Sequence, residues 1–208
     1  EYVNGVGQFD LMQDGKKLTH IELSVPGKHN VKNALAAAAA ALTVDAPAEA
    51  IAAGLHAFRG AERRFQFKGE YHGAMIYDDY AHHPGELHVL MDTVRTLGYE
   101  RIICAFQPHT YTRTKALFGD FVRELGRPDI TLLAEIYAAR EKNTLGISSK
   151  DLAERIPSAE YCATLDDVKR RLEELAKPGD LILTVGAGDI YTVGEAMVKD
   201  AESETQNN

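Results

Sequence analysis

A regular alternation of short apolar and amphipathic stretches begins after Gly60, and it constrains the fold more than any other feature of this sequence. Five apolar stretches have the length and the flanking residues of buried strands. They are Ala74–Tyr77, Arg101–Phe106, Ile130–Ile136, Glu160–Ala163 and Leu181–Val185. The stretches between them carry apolar residues at helical spacing. Strands that alternate with helices predict an α/β fold, Rossmann-like, with a mostly parallel sheet and helices on both of its faces.

The predicted helices have recognisable faces and start signals. Two apolar stripes are Leu87, Leu90, Met91, Val94 and Leu97, and Leu117, Phe118, Phe121, Val122 and Leu125. Capping-box spacing opens two more helices, with Ser148 before Asp151 and Thr164 before Asp167. A last helix is predicted over Asp189–Lys199, and the polar residues after it predict a disordered tail.

The residues before Gly60 follow a different pattern, which is too short for a complete domain and is typical of the end of one. Its predicted elements are the strands Phe9–Met12 and Leu18–Val25, joined at Asp14-Gly15, and the helices Asn30–Val44 and Ala48–Phe58. We therefore divide the chain into the end of one domain (1–59), a complete second domain (60–202) and a disordered tail (203–208).

Charge and composition argue against several classes of protein. The formal net charge of −8 argues against a nucleic-acid-binding protein, because affinity for the phosphate backbone depends on clustered Lys and Arg. No apolar run reaches the roughly 18 residues that a membrane-spanning helix needs. Cys104 and Cys162 lie in apolar, strand-like runs and have the setting of buried thiols, which fits a reducing compartment. We predict a cytoplasmic protein without a nucleic-acid or membrane partner.

Polar clusters follow four of the five predicted strands. They are Asp78–Pro84, Gln107–Thr114, Tyr137–Asn143 and Gly186–Asp189. In open parallel sheets, ligands bind outside the carboxyl ends of the strands. The four clusters therefore predict a functional site at one edge of the sheet.

Structural interpretations compete with this one. Asp78-Asp79 would also cap a turn, and His82-His83-Pro84 would begin a helix with proline at its first position. Gly186-Ala187-Gly188 is similar to a dinucleotide-binding loop, but Tyr191 stands where the third glycine is required. The residue types Asp78, Asp79, His82, His83 and His109 bind first-row metals, but they lack the spacing of a dedicated site. We predict no metal held by this chain.

An unusual stretch, Gly27-Lys28-His29-Asn30-Val31-Lys32-Asn33, precedes an alanine run. Asn30 and Asn33 are three residues apart and lie on one helical face. Asn30 would serve as an N-cap, but Asn33, one turn further on, would not. A side-chain amide both donates to and accepts from a purine edge, so adenine recognition is the functional interpretation.

At these residues the sequence resembles the Mur ligases, the ATP-dependent enzymes that add amino acids to the peptidoglycan precursor. The resemblance extends from about Tyr2 to Ala201. One family signature is matched by Gly27-x-His29-Asn30-x-x-Asn33-Ala34-Leu35-Ala36-Ala37. A second is matched by Arg64 and Asp79, fifteen residues apart, which the resemblance implies contact the nucleotide.

Within the family, two loops resemble the member that adds L-alanine to UDP-N-acetylmuramate. They are Asp78-Asp79-Tyr80-Ala81-His82-His83-Pro84 and Phe106-Gln107-Pro108-His109. The sequence departs from the usual pattern at Ala81, where Gly is frequent, at Thr110, where Arg is frequent, and at Arg140, where Gly is frequent. The family's phosphate-binding Gly-Lys-Thr loop does not occur in these residues. The resemblance implies the end of the central ATP-binding domain and the C-terminal domain, without the N-terminal domain and the rest of the central one.

The resemblance also implies a reaction and its participants. ATP phosphorylates the carboxylate of UDP-N-acetylmuramate, and the amine of L-alanine attacks the acyl-phosphate. Mg²⁺ bridges the ATP phosphates and is held mostly by residues outside this chain. The residues implied for the nucleotide are His29, Asn30, Asn33, Arg64 and Asp79. Those implied for the amino acid and intermediate are Tyr80, His82, His109, Tyr111, Arg113 and Tyr137, with His82 and Arg113 catalytic. The chain alone is expected to be inactive.

Three other functions remain open. The first is a recycling Mur ligase that attaches a peptide to UDP-N-acetylmuramate, although its second loop lacks the pattern from Gln107 to Arg113. The second is a non-catalytic module derived from a Mur ligase, which has no need to keep Arg64 and Asp79. The third is a Rossmann oxidoreductase, which the incomplete glycine motif disfavours.

Overall fold

The computed structural model describes residues 1–3 and 5–206, which form nine strands and eight helices. The chain divides into two compact units. The first comprises Glu1–Ala61 and Asp92–Gly98, and the second comprises Glu62–Met91 and the residues from Tyr99 onward. Within the described ranges, every helix is too short or too polar to cross a lipid bilayer.

The first unit contains an antiparallel sheet and two helices. Their bounds are β1 Tyr2–Val3, β2 Val6–Gln13, β3 Lys16–Pro26, α1 Lys28–Leu42 and α2 Ala48–Ala57. The predicted turn at Asp14-Gly15 is confirmed, because both residues have positive φ, 50° and 77°, as tight hairpins require. Leu11, Ile21 and Leu23 of the sheet pack with Ala34, Ala38 and Ile51 of the helices to form a core.

Helix α1 begins at Lys28, two residues before its predicted start. Gly27 is the N-cap and has a φ of 104°, a conformation that favours glycine, so Asn30 lies inside the helix and does not cap it. Asn30 Nδ2 donates to the Pro26 carbonyl at 2.7 Å, and Asn33 Nδ2 donates to Asn30 Oδ1 at 3.2 Å. The prediction that the two amides share one helical face is confirmed.

The second unit is built on a six-stranded sheet in the order β4-β5-β9-β6-β7-β8. Its strands are β4 Gln66–Tyr71, β5 Ala74–Asp79, β6 Arg101–Phe106, β7 Ile130–Ala134, β8 Ala159–Cys162 and β9 Asp180–Val185. All pairs are parallel except the antiparallel pair of β4 and β5. The predicted fold class is therefore confirmed, and each of the five predicted strands is present within two residues of its expected ends.

Strand β4 is the one described strand of this sheet that the sequence did not predict. It lies at an edge and joins β5 through His72-Gly73, both of which have positive φ. None of its six residues is fully buried, so it lacks the apolar run that marks a covered strand. An antiparallel edge strand of this kind leaves little signal in the sequence.

Six helices connect or follow the strands of this sheet and cover it. They are α3 Pro84–Val94, α4 Tyr111–Ala116, α5 Phe118–Leu125, α6 Ser149–Ala153, α7 Leu165–Leu175 and α8 Tyr191–Gln206. Both predicted capping boxes are confirmed. Asp151 Oδ2 accepts from the Ser148 N–H at 2.8 Å, and Thr164 Oγ1 accepts from the Asp167 N–H at 3.1 Å.

Two helical regions differ from the prediction. The stripe over 117–125 begins at Leu117, but this residue is not helical (φ −110°, ψ 22°) and separates α4 from α5. Helix α8 begins at Tyr191 and continues to Gln206, and the hydroxyl of Thr205 donates to the Ala201 carbonyl within its last turns. The predicted disordered tail, 203–208, is thus helical as far as Gln206, and its last two residues lie outside the described residues.

The core of the second unit lies against both faces of the sheet. All six residues of β9 are buried, as expected of a central strand that helices cover on both sides. Cys104 and Cys162 are free and buried, as predicted, and burial raises the pKa of Cys104 to about 12. The polar side chains that carry chemistry are therefore confined to the ends of the strands.

Candidate active site

Four polar loops meet at one edge of the sheet of the second unit. The neighbouring parallel strands β5, β9, β6 and β7 end there, and each continues directly into one of the loops predicted to carry chemistry. Two further loop connections hold the edge together. The Thr110 N–H donates to the Tyr137 carbonyl at 2.9 Å, and the Tyr137 N–H donates to the Pro108 carbonyl at 2.8 Å. The loops after β6 and β7 are thus joined by a short parallel bridge.

The glycines after β9 are explained by a buried glutamine. Gln107 Oε1 accepts from the N–H groups of Asp189 and Ile190, at 3.0 and 3.2 Å. A Cβ atom at Gly188 would collide with this oxygen, and one at Gly186 would lie 2.7 Å from the Gln107 carbonyl oxygen. These glycines permit close packing between two loops, and that need accounts for the pattern that is similar to a dinucleotide-binding motif.

Two buried nitrogen atoms at this edge have no hydrogen-bond partner among the described residues: Arg113 Nη1 and His109 Nδ1. Buried polar atoms are normally satisfied, so this pair makes the edge of the sheet a candidate ligand site. Burial lowers the pKa of His109 below its ordinary range, and the nearby charges of Arg113 and His82 lower it further. His109 is therefore neutral at pH 7, and Arg113 is the cation of the pair.

The short helix α4 presents Arg113, and a carboxylate on the neighbouring loop fixes its first turn. Thr110 precedes α4 with a φ of 69°, which is unusual for a β-branched residue. Glu141 accepts hydrogen bonds from both the N–H and the hydroxyl of Thr112. These bonds, with the N–H of Tyr111, lower the pKa of Glu141. The sequence placed Glu141 in a polar cluster but did not assign it this role.

The predicted aromatic and histidine residues form a row of rings across the edge. The Tyr80 and His82 rings meet edge to face at 5.4 Å, the His82 and His109 rings lie 6.0 Å apart, and the His109 and Tyr137 rings stack at 5.6 Å. Four of the six residues predicted to bind the amino acid thus lie side by side. Two predicted residues lie outside this row. Arg113 is near enough to His109 for its charge to lower the pKa of that histidine, and Tyr111 is the half-buried first residue of α4.

Arg63, which the sequence analysis did not single out, is the best-fixed cation of the site. Its Nε donates to Asp78 Oδ2 at 3.0 Å, and its Nη2 donates to the Gly186 carbonyl at 2.6 Å. Its guanidinium lies between the rings of Tyr80 and Tyr191, at 4.8 and 4.4 Å from their centroids. Burial raises the pKa of Asp78, and the hydrogen bonds from Arg63 and Thr184 oppose that effect.

Arg64, one residue later, has the opposite environment. It lies in a turn in which Arg63 and Phe65 both have positive φ, 54° and 46°. Asp79 stabilises this turn, because its Oδ2 accepts from the Phe65 N–H at 2.8 Å while its Oδ1 accepts from the Ala81 N–H at 2.8 Å. More than half of the Arg64 side chain is exposed (55%), and its nearest carboxylate oxygen, on Glu86, is 4.0 Å away. The strained turn holds an exposed cation at the sheet edge.

The predicted nucleotide contacts of Asp79 stay a prediction. Burial raises the pKa of this carboxyl, and the two backbone N–H groups oppose the shift. Each carboxylate oxygen keeps a second lone pair, and 8% of the residue remains exposed. In the first unit, His29, Asn30 and Asn33 lie in the first two turns of α1.

The metal-binding possibility finds no support in the described residues. No group of three or more His, Cys, Asp or Glu side chains in ranges 1–3 and 5–206 is arranged to hold a metal. Asp78 and Asp79 already accept from Arg63, Thr184 and backbone N–H groups. Within the described residues, these two carboxylates are therefore engaged as hydrogen-bond acceptors of the loop structure.

Comparisons with known proteins identify the family of the chain. The profile of the family described as "Mur ligase, glutamate ligase domain" matches residues 63–188. The UDP-N-acetylmuramate–L-alanine ligase of Agathobacter rectalis is 46% identical over 195 residues, which are 92% of this chain and 42% of that protein. The corresponding ligase of Clostridium novyi is 42% identical over 200 residues, 94% of this chain and 44% of that protein. The chain thus spans less than half the length of these relatives.

Solved structures give the same result. The UDP-N-acetylmuramate–alanine ligase of Thermotoga maritima superposes with a TM-score of 0.79 at 27% identity, over 97% of this chain and 44% of that one. The MurF ligase of Thermotoga maritima in complex with ADP has a TM-score of 0.71 at 17% identity, over 98% and 45%, and shows the shared fold. The resemblance seen in the sequence motifs is confirmed, and the chain belongs to the Mur ligase family.

Proposed function

We propose that this chain is the C-terminal part of an ATP-dependent ligase that joins L-alanine to UDP-N-acetylmuramate through an acyl-phosphate. The observation that carries the proposal is the pair of buried, unpartnered nitrogen atoms of Arg113 and His109 beside the row of rings. The names of the relatives from Agathobacter rectalis and Clostridium novyi support the same reaction.

Arg113 is the proposed ligand of the L-alanine carboxylate. A guanidinium binds a carboxylate through short, charge-assisted hydrogen bonds, and burial strengthens them. His109 is neutral and supplies a further hydrogen bond from the same wall. Tyr80, Tyr111 and Tyr137 would enclose the amino acid, and His82 would orient its amine.

Arg64 is the proposed ligand of the transferring phosphate. Its exposed guanidinium leaves its hydrogen-bond donors available, and a cation positioned beforehand stabilises the charge that develops in phosphoryl and acyl transfer. Asp79 would accept from the ribose hydroxyls in addition to holding the Arg64 turn. In the first unit, His29, Asn30 and Asn33 are the proposed adenine ligands. Mg²⁺ would neutralise the ATP phosphates when bound, and we propose that its ligands lie mostly outside this chain.

The proposal includes the organisation of the whole enzyme. Residues 1–59 would be the end of a central ATP-binding domain, and residues 60–202 the amino-acid-binding domain. The substrates would be ATP, L-alanine and UDP-N-acetylmuramate, in the cytoplasm of a bacterium. The chain alone would be inactive, because the phosphate-binding loop of the family is not among its residues.

The experiment is an assay of phosphate release with ATP, Mg²⁺, UDP-N-acetylmuramate and an amino acceptor. It compares this chain with a chimera in which the chain replaces the matching part of the Agathobacter rectalis ligase. We expect turnover by the chimera alone, and only when L-alanine is present. A chimera that turns over with a tripeptide instead of L-alanine would be a recycling ligase, and one that is silent with both acceptors would contradict the proposal.

The alternative of a non-catalytic module makes the opposite prediction in the same assay. A chimera whose rate equals that of the isolated Agathobacter rectalis front part would support it. The control is the intact Agathobacter rectalis ligase, which shows that the substrates and conditions are adequate.

A further inference from the structure

Glu86 contacts both the backbone and the ring of the neighbouring His82. It occupies the first turn of α3, and its Oε2 accepts from the backbone N–H groups of His82 and His83, at 2.9 and 3.1 Å. Burial raises the pKa of Glu86, but these N–H groups together with the charges of His82 and Arg64 outweigh burial and lower it. Glu86 is therefore an anion that accepts hydrogen bonds and donates none.

The His82 ring places one nitrogen between two acceptors. Its Nδ1 lies 3.0 Å from the Tyr80 carbonyl oxygen and 3.6 Å from Glu86 Oε2. Neither oxygen carries a hydrogen, so a neutral imidazole in this position must hold its proton on Nδ1. The lone pair is then on Nε2, which has no hydrogen-bond partner within the described residues.

The adjacent histidine is arranged in the opposite way. His83 Nδ1 accepts from the backbone N–H of Gly85 at 3.1 Å, so its proton must be on Nε2. Two consecutive histidines in one loop thus carry opposite tautomers. Only the tautomer of His82 leaves a basic nitrogen on the side of the ring away from the backbone.

We propose that Glu86 is a positioning residue that, through its charge and together with the hydrogen bond to the Tyr80 carbonyl, favours the Nδ1–H tautomer of His82, so that Nε2 accepts a proton from the ammonium group of the amino-acid substrate. This inference rests on the proposed function. The deprotonated nitrogen forms a bond to the carbonyl carbon of the acyl-phosphate. The bond between that carbon and the phosphate oxygen breaks, and its electron pair leaves with the phosphate. The second amine proton is released to the phosphate or to solvent.

Glu86 also compensates the charge that His82 gains. At 3.6 Å from Nδ1, its carboxylate stabilises the imidazolium formed by the transfer, as the third member of a nucleophile–base–orienter arrangement does. Arg64, 4.0 Å from the other carboxylate oxygen, would then be linked through Glu86 to the histidine. The proposed phosphate ligand and the proposed base would therefore share one carboxylate.

The first test reads the tautomers directly on this chain. Long-range ¹H–¹⁵N correlation spectra at pH 8 distinguish Nδ1–H from Nε2–H imidazoles, and His82→Gln and His83→Gln assign the two sets of signals. We expect Nδ1–H at His82 and Nε2–H at His83, and a fraction of Nε2–H at His82 in Glu86→Gln. An Nε2–H tautomer at His82 in the unaltered chain would overturn the proposal.

The second test uses the chimera and separates positioning from folding. Glu86→Gln keeps an oxygen for the two backbone N–H groups but removes the charge, so we expect kcat with L-alanine to fall about tenfold with little change in KM, a fraction of the usual gain from general acid–base catalysis. Hydroxylamine reaches the acyl-phosphate already as the free base, and its rate of capture should be unchanged. An equal loss with both nucleophiles would overturn the positioning role.

The outcomes distinguish the two levels of the proposal. An active chimera with the reversed His82 tautomer would contradict the role of Glu86 and leave the ligase function standing. A chimera that is silent with L-alanine would contradict the proposed function, and the proton transfer with it, even if the tautomers are as expected.

Discussion

Two regions of the sheet edge differ in how their buried polar side chains are hydrogen-bonded. In the β5 arm, residues 63–65 and 78–86, the buried charges Asp78 and Asp79 are matched by Arg63, Thr184 and backbone N–H groups. In the β6 arm, residues 107–114, Arg113 and His109 each keep a buried nitrogen without a partner in the described part of the chain. Both arms hold buried polar side chains at the same edge of the sheet, and their hydrogen bonding differs.

The difference shows how structural and ligand-binding charges are told apart. A satisfied buried charge stabilises the loop that holds it, whereas an unsatisfied buried donor costs about 1–3 kcal/mol or more. An unsatisfied buried donor at the ligand-binding edge of a sheet is therefore a candidate for substrate binding. The buried charges of the β5 arm therefore stabilise the shape of the edge, and the β6 arm holds the donors that we propose bind an anion.

The largest effect is expected from breaking the β5 arm. Arg63→Gln leaves the Asp78 carboxylate buried without its cation, and loss of one partner of a buried pair costs about 3–5 kcal/mol of unfolding free energy. Urea unfolding followed by far-UV circular dichroism measures it. Arg170→Gln, which removes the exposed ion pairs to Asp167 and Glu174, is the matched control and should change stability by less than about 0.5 kcal/mol. Equal effects of the two variants would contradict the structural role of Arg63.

Removing the unsatisfied cation of the β6 arm should harm function and spare stability. Arg113→Met keeps the apolar stem, and in the chimera we expect kcat/KM for L-alanine to fall about 100-fold, the equivalent of about 2.7 kcal/mol. The melting temperature should stay the same or rise, because a buried, unpaired donor is lost. Lys115→Met, on the exposed side of the same helix, is the control. A variant that loses stability and binding together would show that Arg113 is structural.

A smaller change in stability is expected where the β6 arm packs against the loop after β9. Gly188→Ala forces a Cβ against Gln107 and Tyr137, and overpacking of this kind costs about 1–3 kcal/mol. Gly119→Ala is the counterpart, since its Cβ meets no atom within 4 Å and the residue lies in α5. We expect that variant to be more stable by about 0.5–1 kcal/mol. If Gly188→Ala unfolds at the same urea concentration as the original chain, the close packing is not required.

The smallest expected effect is on the pH dependence of stability, to which His109 of the β6 arm contributes. The pKa of His109 is lowered in the folded chain, so the unfolded chain binds more protons between the two pKa values. The stability that neutral, half-buried His109 contributes to the folded chain is therefore fully present above the unfolded pKa of about 6.5. It is lost as the pH falls toward the lower pKa of the folded chain. Urea unfolding at pH 7.5, 6.5 and 5.5 should show a smaller loss for His109→Gln than for the original chain. An identical pH dependence would contradict the buried position of the ring.

Much of the fold was predictable because buried strands and capped helices leave local signals. β6 and β9 are mostly apolar runs that are covered on both faces. Ser148 and Thr164 mark the starts of their helices because each has an aspartate three residues later, as a capping box requires. β4 was missed because its side chains are only partly buried. The length of α8 was missed because its last turns are polar and lack an apolar stripe.

The site was predictable at the level of loops, and less so at the level of atoms. Arg63 and Arg64 are adjacent, and each is fifteen residues from an aspartate, so spacing does not show which of them is buried. Glu86 and Glu141 act on backbone N–H groups, and such contacts depend on loop geometry that residue type does not encode. Whether the predicted residues bind substrate is decided by the experiments above.

The position of β9 in the sheet has a consequence for how the second unit is made. β5 and β6 do not pair with each other; each pairs with β9, whose residues Asp180–Val185 are the last strand of the chain. On the ribosome, both strands therefore emerge with an open edge, and the sheet is completed only when residue 185 has left the exit tunnel. Until then the nascent chain exposes two unpaired strand edges, which are sites for aggregation or chaperone binding. A translation product that stops before Asp180 would lack the strand that unites the two halves of this unit.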